Sequence, residues 1–323
     1  MRPGLGAGAG DAGGGAVSGD EGGTVVAVDV GGTHMRAAVV DPLGKVLDAR
    51  RTPTPHEDPH PDALVALIRS VLDLPAGGDV SQAVVGLPGQ VNYRTGSLEW
   101  APHIPSSWVQ ELTAVGLSLV LGSEVLLAND ADLAAVGEAY FGAGRGYSDV
   151  AFVTISTGLG AGVVLGGKVV HGLRSLAEVG HTVIDRAALA AGRPATLEDQ
   201  ASGTALARMA SEAGLSADGA EVERLAAGGD PRAVEAWRVM IEGVGIGLGN
   251  VAEVFSPEVI VVGGGVGLSE GFLEPLRAYL AQRRPARLRG DLAVVRAALG
   301  DDAGLAGAAA WHRAFVAPTG VPG

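Results

Sequence analysis

The sequence predicts an α/β protein built from two duplicated halves around a central cleft, and three features carry that prediction. One strand-turn-strand order occurs twice, each occurrence is accompanied by helical patterns and short buried strands, and each contains a hairpin turn rich in Gly and Thr. The first starts at Thr24, "TVVAVDVGGTHMRAAVVDPLGKVLDAR". Its apolar run, Gly-Gly-Thr turn, second run, Pro-Leu-Gly turn and third run read as a three-stranded antiparallel meander. The second, from Asp149, is "DVAFVTISTGLGAGVVLGGKVVHG", about 125 residues further on.

The other elements follow in order. Residues 1 to 23 hold ten glycines and no periodicity, so a disordered Gly-rich tail is expected there, with structure beginning near Thr24. After the first meander, "PDALVALIRSVLDL" reads as a helix, "QAVVGLP" and "VLLAND" as buried strands, and "ADLAAVGEAYFGAG" as a second helix. In the second half a helix over 231 to 255 precedes the strand of "EVIVVGGGV".

Composition narrows the function. Of 323 residues, 47% are apolar, enough for two buried cores. Lys and Arg number 23 against 36 Asp and Glu, a net charge of −13, which disfavours nucleic acid as a partner and favours a small soluble substrate. No apolar run approaches the roughly 18 residues of a membrane span and no signal core follows the N-terminus, so a cytoplasmic protein with no membrane partner is expected. The absence of cysteine excludes disulfides and thiolate zinc ligands.

Glycines at either hairpin turn have a plain structural explanation, since a positive φ is needed there. As a pair on opposing loops, with Thr hydroxyls and unobstructed N–H groups, they also make an anion cradle suited to a polyphosphate. A third cluster, "VVGGGVGLSEG", follows a buried strand and is expected to open a helix, where backbone N–H groups again favour a nucleotide. It lacks the spacing and downstream acid of a dinucleotide fingerprint.

Seven motifs occur in order: "DVGGT" from Asp29, "GLPGQV" from Gly86, "NDADLAAVGE" from Asn129, "STGLGAG" from Ser156, "EVGH" from Glu178, "LEDQASG" from Leu197 and "VVGGGV" from Val261. Together, from about Thr24 to Arg313, they resemble the ROK family (repressor, ORF, kinase) of sugar kinases. The resemblance implies two actin-like ATPase (ribonuclease H-like) domains. It divides the chain into a small domain over 24 to 128, completed by a C-terminal helix at about 301 to 315, and a large domain over 129 to 300.

The resemblance also implies ATP and Mg²⁺ as cofactors, with Asp29 holding Mg²⁺ through water and Gly31, Gly32 and Thr33 meeting the phosphates. Thr157 and Gly158 meet them from the second domain, and Gly264 and Gly265 lie near the adenosine. Asp130 is implied as the general base for the sugar hydroxyl, beside Asn129 as a hydrogen-bonding group for the sugar. A carboxylate at a helix N-terminus is expected to stay ionised. From the residues alone, Asn129 or Asp130 reads equally as a helix N-cap. Asp132, where many relatives have Asn, is expected to be a first-turn helix acid and is a minor rival for the base.

Glu178, His181 and Glu198 are implied to hydrogen-bond sugar hydroxyls, with Gly89 and His103 also near the sugar; the bland alternative is a capping Glu and a half-buried His. In most relatives a Cys-rich loop follows the Gly-His pair and binds a structural zinc. Residues 182 to 196 contain no Cys and no further His, so zinc is not expected, and Val183, Ile184 and Leu189 are expected to hold the loop by packing.

The function so implied is an ATP-dependent hexose kinase, first of all a glucokinase acting on the 6-hydroxyl, commonly a homodimer or homotetramer. The alternatives are a kinase of N-acetylmannosamine, N-acetylglucosamine or fructose, or a polyphosphate-using glucokinase; "LEDQASG" leans toward ATP. A remote alternative is a sugar-responsive transcriptional regulator, which would carry a winged-helix segment where the Gly-rich tail stands.

Overall fold

The structure is a computed structural model that describes residues 23–77, 80, 82–102, 104–176, 178–215, 218–283 and 292–316. The expected tail lies outside these residues, apart from Gly23. The strands are β1 (Val25–Val30), β2 (His34–Val40), β3 (Val46–Pro53), β4 (Gln82–Leu87), β5 (Gln90–Asn92), β6 (Ser97–Trp100), β7 (Glu124–Asn129), β8 (Val150–Ile155), β9 (Leu159–Leu165), β10 (Lys168–Val169), β11 (Val259–Gly263) and β12 (Ala293–Arg296). The helices of the first half are α1 (Asp62–Leu72), α2 (Trp108–Glu111), α3 (Ala114–Leu121) and α4 (Asp130–Tyr140). Those that follow are α5 (Arg186–Ala190), α6 (Leu197–Ala201), α7 (Gly203–Glu212), α8 (Gly219–Ala227), α9 (Pro231–Phe255), α10 (Leu273–Arg283) and α11 (Ala303–Ala314).

The duplication is realised in two five-stranded sheets of identical plan, β3-β2-β1-β4-β7 and β10-β9-β8-β11-β12. In each, the meander supplies three antiparallel strands and two later strands add in parallel. Parallel strands need crossover helices that cover the faces, which is why β1, β4 and β11 read as nearly unbroken Val-rich runs and are buried almost throughout. This is the actin-like ATPase architecture that the motifs imply.

One apolar core runs through the first sheet and on to one face of the second, with Val150, Phe152, Val164, Val259 and Val261, while the opposite face of the second sheet has a separate core that α9 closes against Ile260 and Val262. The limits of α9 are chemical: Asp230 caps its N-terminus with Pro231 in the first turn, and Ser256 leaves it in the left-handed region. One expectation fails. The third glycine cluster does not open a helix, because Gly264 to Phe272 form successive turns and α10 starts only at Leu273.

α4 follows β7 directly and packs on β8 and β9 of the second sheet and on α11, which lies on β1, β2 and β4. The two helices cross at Gly137 and Gly307, where any Cβ would run into backbone: Ala303 O beside Gly137, Leu133 O beside Gly307. Only glycine permits so close an approach. We propose keeping the division into residues 24 to 128 with α11, and residues 129 to 300, with α4 as the element that touches both sheets.

Candidate active site

In open sheets with parallel strands, ligands sit beyond the carboxyl ends of those strands. In the first sheet that edge holds Asp29, which is in register with Gly86 of β4, while Leu87 of β4 is in register with Asn129 of β7. The chain turns from β7 straight into α4 at this point. Asn129 caps the helix, its Oδ1 accepting from the N–H groups of Ala131 (2.9 Å) and Asp132 (3.1 Å). Its Nδ2 donates to the carbonyl of Gly89 (2.9 Å), so both ends of the buried amide are engaged in holding the structure.

Asp130 is the first residue of α4 and accepts the N–H of Ala131 at 2.8 Å. The expectation that it stays ionised is corrected here. Burial, then the charges of Asp29, Glu178 and Asp132, push its pKa up to about 7 against the single hydrogen bond that lowers it. The helix end is outweighed because three carboxylates surround a desolvated fourth. Asp29 is raised as well, by burial and by Asp301, with Arg36 across the hairpin opposing. Arg36 is already paired with Asp302 at 2.5 Å. Asp132 is in the first turn, as expected, but is fully buried, and accepts from the hydroxyls of Tyr93 (2.6 Å) and Ser175 (3.1 Å). A role for it as the rival base would need access that this enclosure denies.

The second half contributes the other wall. Ser156 N–H closes the second Gly/Thr turn on Gly158 O (2.9 Å), and the start of α7 docks on that turn through Gly203 N–H to Ser156 O (2.7 Å). Thr33 and Thr157, one on each turn, are both exposed. Gly31 and Gly32 are half-buried beside Thr33, and Gly31 O accepts the Thr54 hydroxyl at 2.6 Å. Gly264 lies against Ile155, the residue that leads into the second turn, with φ of 80° and no room for a side chain; Gly265 next to it is open. Those two glycines and the second turn are therefore one continuous surface.

Glu178, His181 and Glu198 are brought together. His181 Nε2 lies 3.8 Å from Glu178 Oε2, and burial raises the Glu178 pKa, with His181 opposing and Glu198 adding. Glu198 also braces the second turn, its Oε2 accepting the N–H of Leu159 at 2.8 Å. His181 is exposed rather than half-buried and meets the indole of Trp100 edge-on, 6.3 Å between ring centres. Trp100, Tyr93 and Ser175 were not singled out by the motifs. Each acts through a partner distant in sequence. His103 lies outside the described residues.

The loop after His181 is not held as expected. Val183 and Leu189 are 49% and 56% exposed, and of the three apolar residues only Ile184 packs on the core. Backbone bonds do the holding, from Ile184 to Ala195 (3.0 Å) and from Leu197 to Thr182 (2.8 Å). Asp185 is committed to the Ala188 N–H, and Thr196 and Asp199 form a reciprocal capping box.

A cavity of about 910 Å³ lies elsewhere, between α8, α9 and α10, lined by Trp237, Ile241 and Tyr279 and by none of the residues above. Among the described residues no helix is long and apolar enough to cross a membrane.

The model of the ROK family matches residues 25–314. The chain belongs to the ROK family. It is 33% identical over 298 residues to a glucokinase of Streptomyces coelicolor, covering 84% of this chain and 92% of that one. It is also 33% identical over 282 residues to an N-acetylmannosamine kinase of Shigella boydii, covering 85% and 93%. Among solved structures, the ROK glucokinase of Streptomyces griseus in complex with glucose and AMPPNP superposes with a TM-score of 0.70 at 33% identity, over 89% of this chain and 98% of that one. The seven motifs of this ROK protein thus lie within the matched region, and the carboxylates and Gly/Thr turns described above are its candidate site.

Proposed function

We propose that this ROK protein is an ATP-dependent hexose kinase, with glucose the first candidate, that transfers the γ-phosphoryl group of ATP to the 6-hydroxyl and uses Asp130 as general base. The observation that carries the reading is the setting of Asp130. It opens α4 at the end of β7, near the charges of Asp29 and Glu178. Its pKa and that of Asp132 are both pushed up to about 7, but Asp130 is only half-buried and is the accessible base of the two.

The sugar lies, in this reading, among Asn129, Asp130, Glu178, His181 and Glu198, whose carboxylates accept from fixed O–H groups. Asp130 takes the 6-hydroxyl proton as that oxygen bonds to phosphorus and the bond to the β-phosphate breaks, releasing ADP. Thr33 and Thr157 hold the phosphates from opposite sides with the backbone of Gly31, Gly32 and Gly158. Phosphoryl transfer depends mainly on such positioning. Among the described residues no group of three carboxylates or histidines is placed to hold a metal ion directly. Asp29, near the end of β1 beside the first Gly/Thr turn, is therefore the residue that would hold Mg²⁺ through water, with phosphate oxygens completing its shell. Bound there, Mg²⁺ offsets phosphate charge.

The equal identity to the N-acetylmannosamine kinase keeps that sugar as a second reading. A panel of hexoses and N-acetylhexosamines, each with ATP and with polyphosphate, tests the proposal. No phosphorylation of any hexose would overturn it.

The two-turn phosphate site predicts that Thr33→Val and Thr157→Val each raise the KM for ATP about tenfold or more with the sugar KM nearly unchanged, since one charge-assisted hydrogen bond is lost. The opposite pattern, a raised sugar KM with ATP unaffected, would refute the assignment of these turns.

His181→Ala is expected to raise the sugar KM and shift Tm by no more than a degree or two, because its side chain is 52% exposed. Purified protein should carry well under one zinc per chain by elemental analysis. Stoichiometric zinc with a steep fall in Tm for His181→Ala would mean that His181 is a structural ligand.

A further inference from the structure

Behind Asp130 lies a buried polar knot that the proposed chemistry does not use. The Tyr93 hydroxyl donates to Asp132 Oδ2 at 2.6 Å and at the same time accepts the N–H of Asn129 at 3.1 Å. The second carboxylate oxygen of Asp132 accepts from Ser175 at 3.1 Å. Tyr93 N–H donates to Leu173 O at 2.9 Å, and its ring is fixed by His171 edge-on (5.2 Å) and by Phe315 (5.1 Å).

Three separate segments meet in this knot, and each carries a residue of the site. The β5–β6 hairpin brings Tyr93 and follows Gly89, the start of α4 brings Asp132 with Asn129 and Asp130, and the stretch from His171 to Ser175 leads to Glu178. A first-turn carboxylate supports its helix equally well from solvent, whereas burying one is costly unless hydrogen bonds repay it. The same hydroxyl ties the residue before Asp130 and the residue two after it, so the position of Asp130 along and around the helix start is set from both sides.

We propose that Tyr93 and Asp132 are positioning residues that clamp the N-terminus of α4 and hold the Asp130 carboxylate in register with Glu178 across the cleft. The inference rests on Asp130 being the base. Misplacement of a reacting group by about 1 Å costs up to 10²-fold in rate, so the loss should appear in kcat and not in sugar affinity.

Tyr93→Phe keeps the ring and removes one oxygen. It should lower kcat about 10- to 100-fold, with sugar KM within about threefold and circular dichroism unchanged. Asp132→Asn, which retains an acceptor for the Tyr93 hydroxyl, should lose far less than Asp132→Ala. The double variant Tyr93→Phe/Asp132→Ala should be no slower than the slower single variant, because the two changes break one interaction. A kcat for Tyr93→Phe within twofold of wild type, or equal kcat for Asp132→Asn and Asp132→Ala, would overturn the clamp. If Tyr93→Phe does not fold, the comparison of the two Asp132 variants decides alone. Loss of Tm with kcat per folded molecule intact would assign the knot to stability only and overturn the proposal. Should Asp130→Asn itself retain activity, the base assignment fails, and that result is separate from these.

Discussion

Asp130→Asn should fold, bind sugar and lose about 10²- to 10⁴-fold in kcat, the usual worth of a general base. Asp132→Asn, measured beside it, should fall far less. In the wild type, kcat/KM should drop as pH falls below about 7, where Asp130 takes up a proton. The same group has a stability signature of the opposite sense. Its pKa is raised on folding, so its favourable contribution is present in acid and is lost as pH rises through about 7. The Asn variant escapes that penalty, and its Tm relative to wild type should be higher at pH 8 than at pH 5. Near-wild-type kcat in Asp130→Asn would sink the assignment, whatever its melting behaviour.

Glu138→Ala should destabilise the protein by about 3 to 5 kcal/mol, the usual cost of removing one partner from a buried charged network. Glu138 is fully buried near the end of α4. Its carboxylate accepts three backbone N–H groups, those of Ala143 (2.7 Å), Ala298 (3.0 Å) and Leu299 (2.8 Å). The truncation leaves all three without that acceptor. For a chain of this size, that corresponds to a fall in Tm of roughly 4 to 7 °C. Thermal unfolding measures it, and a fall under 2 °C would mean that water or a shift of the 298–299 segment replaces the carboxylate.

What the sequence revealed in advance was local in origin. Both meanders were legible because Gly turns interrupt β-branched runs, and α9 because Asp230-Pro231 and Ser256 mark its ends within a few residues. Asp29, Thr33, Asn129 and Asp130 are candidates for the site because short contiguous motifs carry them. The 39 residues between Tyr93 and Asp132, and the 160 between Glu138 and Ala298, leave no such trace. Only folding brings those partners together. The loop after His181 was misread because its apolar residues suggested packing, while the bonds that hold it are mostly between backbone groups whose pairing no side chain announces. The start of α10 was misplaced because a run of glycines satisfies turns as readily as a helix entrance.

The return of α11 to the first sheet has a consequence for how the molecule is made. β1 leaves the ribosome well before the helix that covers it and locks α4 through the Gly137–Gly307 crossing, which comes some 270 residues later. The early half therefore waits, with an apolar sheet face uncovered, until α11 has been made. The second sheet, whose strands and covering helices lie between, can assemble in the meantime. Long sequence separation between contacting elements slows folding and leaves intermediates open to aggregation. A nascent chain arrested just before Ala303 should accordingly hold a protease-resistant core from the second half while the first remains cleavable.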